Sequence, residues 1–577
     1  MIRLIRYTRP YLGWILLAIL LLFAQVNFDL ALPDLLSQMV NIGIQQGAGS
    51  AFILQTGGSM LLLTLFSGAC TIAVVLISSR VAAGMARDLR RDIFDKVSSF
   101  SNAEFDRFST ASLITRSTND ITQVQMVAMM LIRIVFYAVL MGIGGILRML
   151  NRDVSMLLLI VGAVLFTIVV VVIVILLAMP RFRAIQMLID RLNLVSRESL
   201  VGMLVIRAFN RQGHEERRFD LVNLDLARVN LFVNRVMASL MPIMMLTMNA
   251  LGVLIVWVGA RQVAATTIQV GDIMAAVQYA AQILMSFLML SMIVVVLPRA
   301  SVSAERIADV LEAEPAVHDP HPAEHFAEPF IGTISFQNVS FRYPGAEEDA
   351  LNEINFTALP GQTTALIGPT GAGKSTLVNL ILRLYDVTGG AILIDGADIR
   401  RVTQHDLRAR IGFTPQKSAL FSGTVDSNLR FADDDAAETA IRSAIEIAQA
   451  GEFVLEKPEG TGLAISQGGT NLSGGQKQRL SIARALVKKP AIYIFDDSFS
   501  ALDVKTDAAL RQALGQATRG STQLIVSQRI STIRHAEQIL VMDEGRIAGK
   551  GTHAELMKSN AIYREIAQSQ LSMEVSS

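Results

Sequence analysis

The chain of 577 residues is longer than one hydrophobic core supports. With 52% hydrophobic and 18% charged residues and a mean hydropathy of +0.45, it is too apolar for an ordinary soluble protein, so much of it belongs in lipid. A formal net charge of +1 leaves no electrostatic footprint for nucleic acid, and the single cysteine, Cys70, lies in an apolar run with no second thiol to pair with.

The N-terminus, MIRLIRYTRPYLGW, places basic residues before an apolar stretch as a secretory signal does. The run has no small-residue cleavage site and more spans follow, so it is expected to stay as a first span. Crossing a bilayer takes about twenty consecutive apolar residues, because the backbone must satisfy its own hydrogen bonds where no water reaches. Six such stretches precede residue 300: Tyr11 to Phe28, Gly57 to Ser79, Met126 to Leu147, Val154 to Met179, Val236 to Ala260 and Ile273 to Pro298. Only the third carries a charge, Arg133.

Arginine placement orients them. Arg3, Arg6 and Arg9 precede the first span, and the connections Arg80 to Asp120 and Arg181 to Arg235 are long and basic. Asn41 to Thr56 has no Lys or Arg, Arg148 to Asp153 has two arginines and Arg261 to Asp272 has one. Basic residues collect on the cytoplasmic side, so both termini and the two long connections are expected there. Their helical spacing predicts extensions of the spans. Each holds a short segment, Ala103 to Ala111 and Gly202 to Gln212, whose turn-prone flank and aromatic residue, Phe105 or Phe209, suit docking onto another domain.

After Pro298 the apolar runs end. A charged helix, SAERIADVLEAEP, leads into a stretch punctuated by Pro315, Pro320, Pro322 and Pro329. This gives a membrane domain over 1–310, a linker over 311–330, a second domain over 331–570 and a tail over 571–577. In the second domain β-like runs (TISFQNVSFRY, INFTAL, AILIDG) alternate with helical ones, which predicts an α/β domain with a parallel sheet.

Within it, Gly368 to Ser375 fits G-x-x-x-x-G-K-S between the apolar strand TALI and the helix start TLVNLIL. Gly371 and Gly373 allow turn conformations closed to residues with a Cβ, so that successive N–H groups can ring a polyphosphate at a helix N-terminus. Lys374 can reach the β and γ phosphates, and the Ser375 hydroxyl can ligate Mg²⁺. Further on, AIYIFD forms a buried strand ending in Asp496, a carboxylate placed to hold that metal beside the phosphates.

Between these stands Leu472-Ser473-Gly474-Gly475-Gln476. Together with the P-loop, Gln416 in FTPQ, Asp496 and the SALD of Ser500 to Asp503, it resembles the ATP-binding cassette transporters, and six spans before one cassette resemble their exporter branch. The resemblance covers nearly the whole chain. It implies a multidomain membrane protein with an all-α six-helix transmembrane domain followed by an α/β P-loop nucleotide-binding domain. It also implies ATP held by Gly368, Pro369, Thr370, Gly371, Ala372, Gly373, Lys374, Ser375 and Thr376, with adenine stacked on Tyr343. Ser375, Gln416 and Asp496 would hold Mg²⁺, and Asp503 would belong to the D-loop. Ser473, Gly474, Gly475 and Gln476 would contact the γ-phosphate of ATP held by a second half-transporter. FDRFSTASLITRSTNDI and ESLVGMLVIRAF resemble the family's two coupling segments, although Ala111 replaces the usual glycine.

Three departures bear on catalysis. Asp497 stands where most members place a glutamate that polarises the attacking water, Gln528 replaces the switch histidine, and Gln467 precedes the signature where many exporters have glutamate. A catalytic group misplaced by about 1 Å can cost about a hundredfold in rate, and an amide cannot carry the charge or proton of an imidazole. Two losses at one site beside an intact signature fit half of a heterodimer with one degenerate ATP site. The alternatives are an exporter of peptides or lipids, and a regulatory membrane protein with little turnover.

The cargo is less legible. Asp29 and Arg133 are expensive in lipid and are expected to face an aqueous path or a partner, with Asp29 close to the end of its span. Met237, Met241, Met244, Met245 and Met248, with Met274, Met285, Met289 and Met292, crowd the last two spans. Methionine suits a cavity for varied apolar molecules and is also common core filler. Amphipathic small molecules, drug-like or lipid-like, moved across the cell's inner membrane are the expected substrates.

Overall fold

A computed structural model of the chain describes residues 2–576. The side chains of Met292 and of the tail 571–577 lie outside what is described. Two compact units emerge, one of Met1–Val97 with Ala111–Ala313 and one of Ser98–Thr110 with Glu314–Ser577.

Among the described residues six helices are long and apolar enough to cross a membrane: Arg3–Gln45, Ser50–Ser98, Thr110–Leu150, Val154–Val201, Gln212–Ala264 and Val270–Glu312. Each contains one of the six apolar stretches read from the sequence and runs well past it. Apolar side chains such as Leu61, Leu158 and Leu176 stay exposed along them, which is stable only with lipid around the helices. Inside, Val26, Leu30, Met141, Ile160, Ile255 and Tyr279 belong to one buried cluster. The two arginines of the short connection 148–153 are accounted for by pairing. Arg148 binds Asp34, and Arg152 bridges Asp34 at 2.7 Å and Asp272 at 2.6 Å.

The second unit is built on two main sheets. Strands β1 (Ile334–Phe341), β2 (Leu351–Ala358), β3 (Thr363–Ile367), β4 (Gly389–Ile394), β5 (Ala397–Asp398) and β6 (Ile411–Thr414) are followed by the short pair β7 (Gly423–Thr424) and β8 (Ala464–Ile465). Then come β9 (Ile492–Asp496), β10 (Thr522–Val526), β11 (Gln538–Asp543) and β12 (Arg546–Gly551). One sheet has the order β2-β1-β4-β5 and the other β12-β11-β3-β10-β9-β6.

The α/β reading holds, but the strands are distributed differently. TISFQNVSFRY, INFTAL and AILIDG supply β1, β2 and β4, which pair antiparallel in the smaller sheet. The parallel strands around the P-loop are β3, β10, β9, β6 and β11. Their apolar runs are buried on both faces: β9 is buried throughout and β3 at all but its first residue. Parallel strands covered on both faces read this way, whereas β1 alternates inward and outward residues.

Register then positions the chemistry. Leu366 of β3 lies level with Val526 of β10, and Val526 with Asp496 of β9. The P-loop, the turn after β10 and the turn after β9 therefore leave the sheet side by side at its carboxyl edge, where ligands bind in open α/β sheets.

Candidate active site

The P-loop wraps the start of the helix Lys374–Ile381, whose N-cap is Gly373 at φ 92°. Gly371, at φ 87°, is also left-handed, so the loop adopts a shape that residues with a Cβ resist. Lys374 is only 8% exposed. Its ammonium donates to the Gly368 and Pro369 carbonyls at 2.8 and 2.7 Å, folding the charge over the loop that a polyphosphate would enter. Burial pushes its pKa down, opposed by Asp496 and Asp497.

A cleft of about 180 Å³ opens here. It is lined by Thr370, Gly371 and residues 373–376 of the loop region, by Gln416, Asp496 and Asp497, and by Val526 and Gln528. Ser375 Oγ donates to Asp496 Oδ1 at 3.3 Å, and Gln416 Nε2 to Asp497 Oδ2 at 3.5 Å. Burial raises the pKa of Asp496, with Asp497 adding to the rise against the bond from Ser375 and the charge of Lys374. Burial also raises that of Asp497, against Gln416 and Arg529. Two carboxylates short of solvent beside a serine hydroxyl and an amide oxygen form the hard, oxygen-only donor set that Mg²⁺ takes together with phosphate. The residues present fit Mg²⁺–ATP.

Asp497 itself has φ 47°, a left-handed conformation in which aspartate is several times commoner than residues with longer side chains. Sequence reading had no signal for it. Gln528 is exposed at the cleft rim, and the backbone around it is pinned by Gln570 of the final helix. Gln570 donates to the Gln528 carbonyl at 2.6 Å and accepts the Ile530 N–H at 2.8 Å. Arg529 braces the turn after β9, donating to the Ser500 and Leu502 carbonyls at 2.7 and 3.3 Å. Buried Gln478 accepts the Ala501 N–H in the same turn. Gln570 carries no motif of its own, whereas Arg529 follows the switch position and Gln478 follows the signature.

Asp503 caps the helix Val504–Ala517 by accepting the Thr506 N–H at 2.9 Å, a bond that holds its carboxyl below the usual range. Ser473 caps the helix Gly474–Val487 in a reciprocal box with Gln476. Neither Ser473, Gly474, Gly475 nor Gln476 lines the cleft, and Ser473 and Gly474 are exposed. Tyr343 shares a 2.9 Å hydrogen bond with Thr376 and meets Tyr385 edge-on at 5.3 Å.

Tyr385 in turn donates to Asp106 at 2.7 Å, so the aromatic beside the P-loop is one ring away from the segment Ser98–Thr110. Phe105 is 37% exposed and lies edge-on to Phe100, while Glu104 and Phe108 are each 7% exposed. A capping box in which Glu104 accepts from Ser101 sets the first turn, turning Glu104 inward to accept the Ala316 N–H at 3.0 Å. Phe105, one residue further around the helix, then faces outward. Phe209 is 74% exposed, beside Leu204 and Val205, which are also exposed.

Fold and site together define a P-loop ATPase cassette joined to a six-span membrane unit. Residues 351–500 match the ABC transporter family, and residues 15–287 match the ABC transporter transmembrane region. The chain is 40% identical, over 98% of its length and 97% of the relative's, to an uncharacterized ABC transporter ATP-binding protein of Mycobacterium tuberculosis. It is 32% identical to the ATP-dependent lipid A-core flippase of Aromatoleum aromaticum, covering 98% of this chain and 95% of the relative. The structure of a bacterial Atm1-family ABC exporter with ATP bound superposes with a TM-score of 0.80 at 25% identity, covering 98% of each chain. The protein belongs to the ABC transporter family, as an exporter half-transporter. Half-transporters of this kind are membrane-embedded and function as dimers, and their cassettes bind ATP with Mg²⁺ and couple its hydrolysis to transport.

Proposed function

We propose that this chain is one half of a heterodimeric exporter in the bacterial cytoplasmic membrane, with its cassette in the cytoplasm. It uses ATP to move amphipathic small molecules out of the cell, and its own ATP site is degenerate. The observation that carries this reading is the contrast between two parts of the cassette. At the end of β9, Asp497 is a methylene short of glutamate and reaches Gln416 only at 3.5 Å, and Gln528 offers an amide where a proton carrier would stand. The signature Ser473 to Gln476, by contrast, is complete, capped and outside its own cleft. A helix N-terminus so presented suits the γ-phosphate of an ATP held by the partner. The chain thus binds ATP at Lys374, hydrolyses it slowly and completes a faster site across the dimer. A lipid-like cargo is the second reading, favoured by the identity to a lipid A-core flippase.

The test sets the two sites against each other in the co-purified complex. Ser473→Arg removes γ-phosphate contacts from the partner's site and should abolish nearly all ATPase, since removing one such donor can cost about a hundredfold or more. Asp497→Asn should change turnover little. Equal losses from the two substitutions would show this chain's own site to be the catalytic one.

A further inference from the structure

Within the apolar band of the membrane unit, Asp29 has no counter-ion among the described residues. Asp29 accepts the Ser67 hydroxyl on one oxygen at 2.6 Å and the Tyr137 hydroxyl on the other at 3.1 Å. Ser67 and Tyr137 fall at the centres of the apolar stretches Gly57 to Ser79 and Met126 to Leu147. Asp29 therefore lies at mid-depth of the apolar band, although in sequence it follows the end of its own stretch. The unit does pair other acids: Asp34 and Asp272 are both met by arginines. Arg133 lies one turn before Tyr137 in the π-helical turn Leu131–Val135, a type of distortion frequent at functional sites. It is exposed and forms no ion pair among the described residues.

Two hydroxyls orient a carboxylate without cancelling its charge. Beside it, Gln282 donates its amide N–H to the Asp29 carbonyl at 3.3 Å, while its Oε1 is buried with no hydrogen-bond partner. Phe28, the residue before Asp29, packs against Phe66, the residue before Ser67, with ring centroids 6.1 Å apart. A calcium or magnesium ion would require about six oxygen ligands, and this cluster offers too few. A carboxylate, a free amide acceptor and two aromatic rings in apolar surroundings match an organic cation, whose charge pairs with the carboxylate and whose body packs on the rings.

We propose that Asp29, with Gln282 and the Phe28–Phe66 pair, receives the positively charged head of an amphipathic cargo, so that organic cations with an apolar body are this transporter's preferred substrate class. The proposal rests on the exporter reading and narrows it.

The experiment follows ATP-dependent uptake into inverted membrane vesicles containing the full chain and its partner. Two apolar aromatic probes are compared, the cation ethidium and the neutral dye Nile red. Truncating one partner of a desolvated charge pair typically costs at least tenfold in affinity, so Asp29→Asn should lower the ratio of ethidium to Nile red uptake by about tenfold. Asp29→Glu, which keeps the charge, should restore most of it. A ratio unchanged in Asp29→Asn, or equal loss of both probes, overturns the proposal and makes Asp29 a structural pin.

Uptake of Nile red alone by the unmutated protein would overturn it while leaving the exporter reading intact. Uptake of neither would remove both. A second readout needs no variant: dicyclohexylcarbodiimide should label Asp29 in the unmutated protein, and ethidium but not Nile red should block that labelling. Labelling indifferent to ethidium would mean that the carboxyl holds only a proton, and would likewise overturn the proposal.

Discussion

If this chain's own ATP site is degenerate as proposed, lengthening one side chain by a methylene should speed it. In a chain carrying Ser473→Arg the partner's site loses its signature contacts, so the residual ATPase of the complex reports the site built on Lys374, Asp496 and Asp497. Adding Asp497→Glu moves the carboxylate outward by about 1 Å, a displacement that can be worth about a hundredfold in rate, or about 2.7 kcal/mol. The backbone opposes the change. Residue 497 sits at φ 47°, where a longer side chain costs about 1 kcal/mol more than aspartate. Taken entirely from the competent conformation, that is a factor of about five, leaving a net gain of about twentyfold. Phosphate release at saturating Mg²⁺–ATP from the co-purified complex, compared with Ser473→Arg alone, measures it. No rise, or a fall, would refute the argument that side-chain length limits this site.

The contact between Tyr385 and the segment Ser98–Thr110 makes a second expectation. Tyr385→Phe removes the 2.7 Å hydrogen bond to Asp106. Asp106 is exposed and regains water, so the cost is about 1 kcal/mol rather than the 1.5–3 of a dry charged bond, and it should appear as weaker stimulation of ATPase by transported substrate with nucleotide affinity nearly unchanged. A matching loss of ATP affinity would place the damage in the nucleotide cleft. In the membrane unit, Arg152→Ala leaves Asp34 and Asp272 without the cation that bridges them. Breaking a buried pair costs about 3–5 kcal/mol, and with partial exposure here about 2 is expected, read as a lowered midpoint of thermal unfolding in detergent. An unchanged midpoint would mean that water replaces the bridge without loss.

The parts of this architecture legible in the sequence are those that depend on neighbours along the chain. Twenty-residue apolar runs give the spans, and the P-loop and signature work through consecutive backbone N–H groups, so their residues must be adjacent. Pairings across long separations left no trace. Tyr385 meets Asp106 across 279 residues, and Arg152 meets Asp34 across 118. The acids that pair with the arginines of the connection 148–153 are likewise invisible to a count of charges along the chain. Asp29 read as an edge residue because the apolar run stops before it, whereas the helix continues to Gln38 and beyond and its neighbours set its depth. Phe105 stood out in the sequence as an aromatic beside a turn-prone flank, whereas the inward turn of Glu104, set by the capping box at Ser101, had no sequence signal. The strands β1, β2 and β4 show β patterning clearly, yet sheet membership depends on which strand lies beside which.

The central claim is asymmetry between two ATP sites in a dimer of unlike halves. It is tested most directly by measuring ATPase of this chain purified alone, over a range of protein concentrations that permits self-association, and again co-purified with a second six-span cassette protein. The account predicts ATP binding in both preparations but turnover far slower from the chain alone than from the complex. Turnover from the chain alone that matches the complex would contradict it, because a homodimer with Asp497 and Gln528 in both sites would then hydrolyse ATP as well as a mixed one.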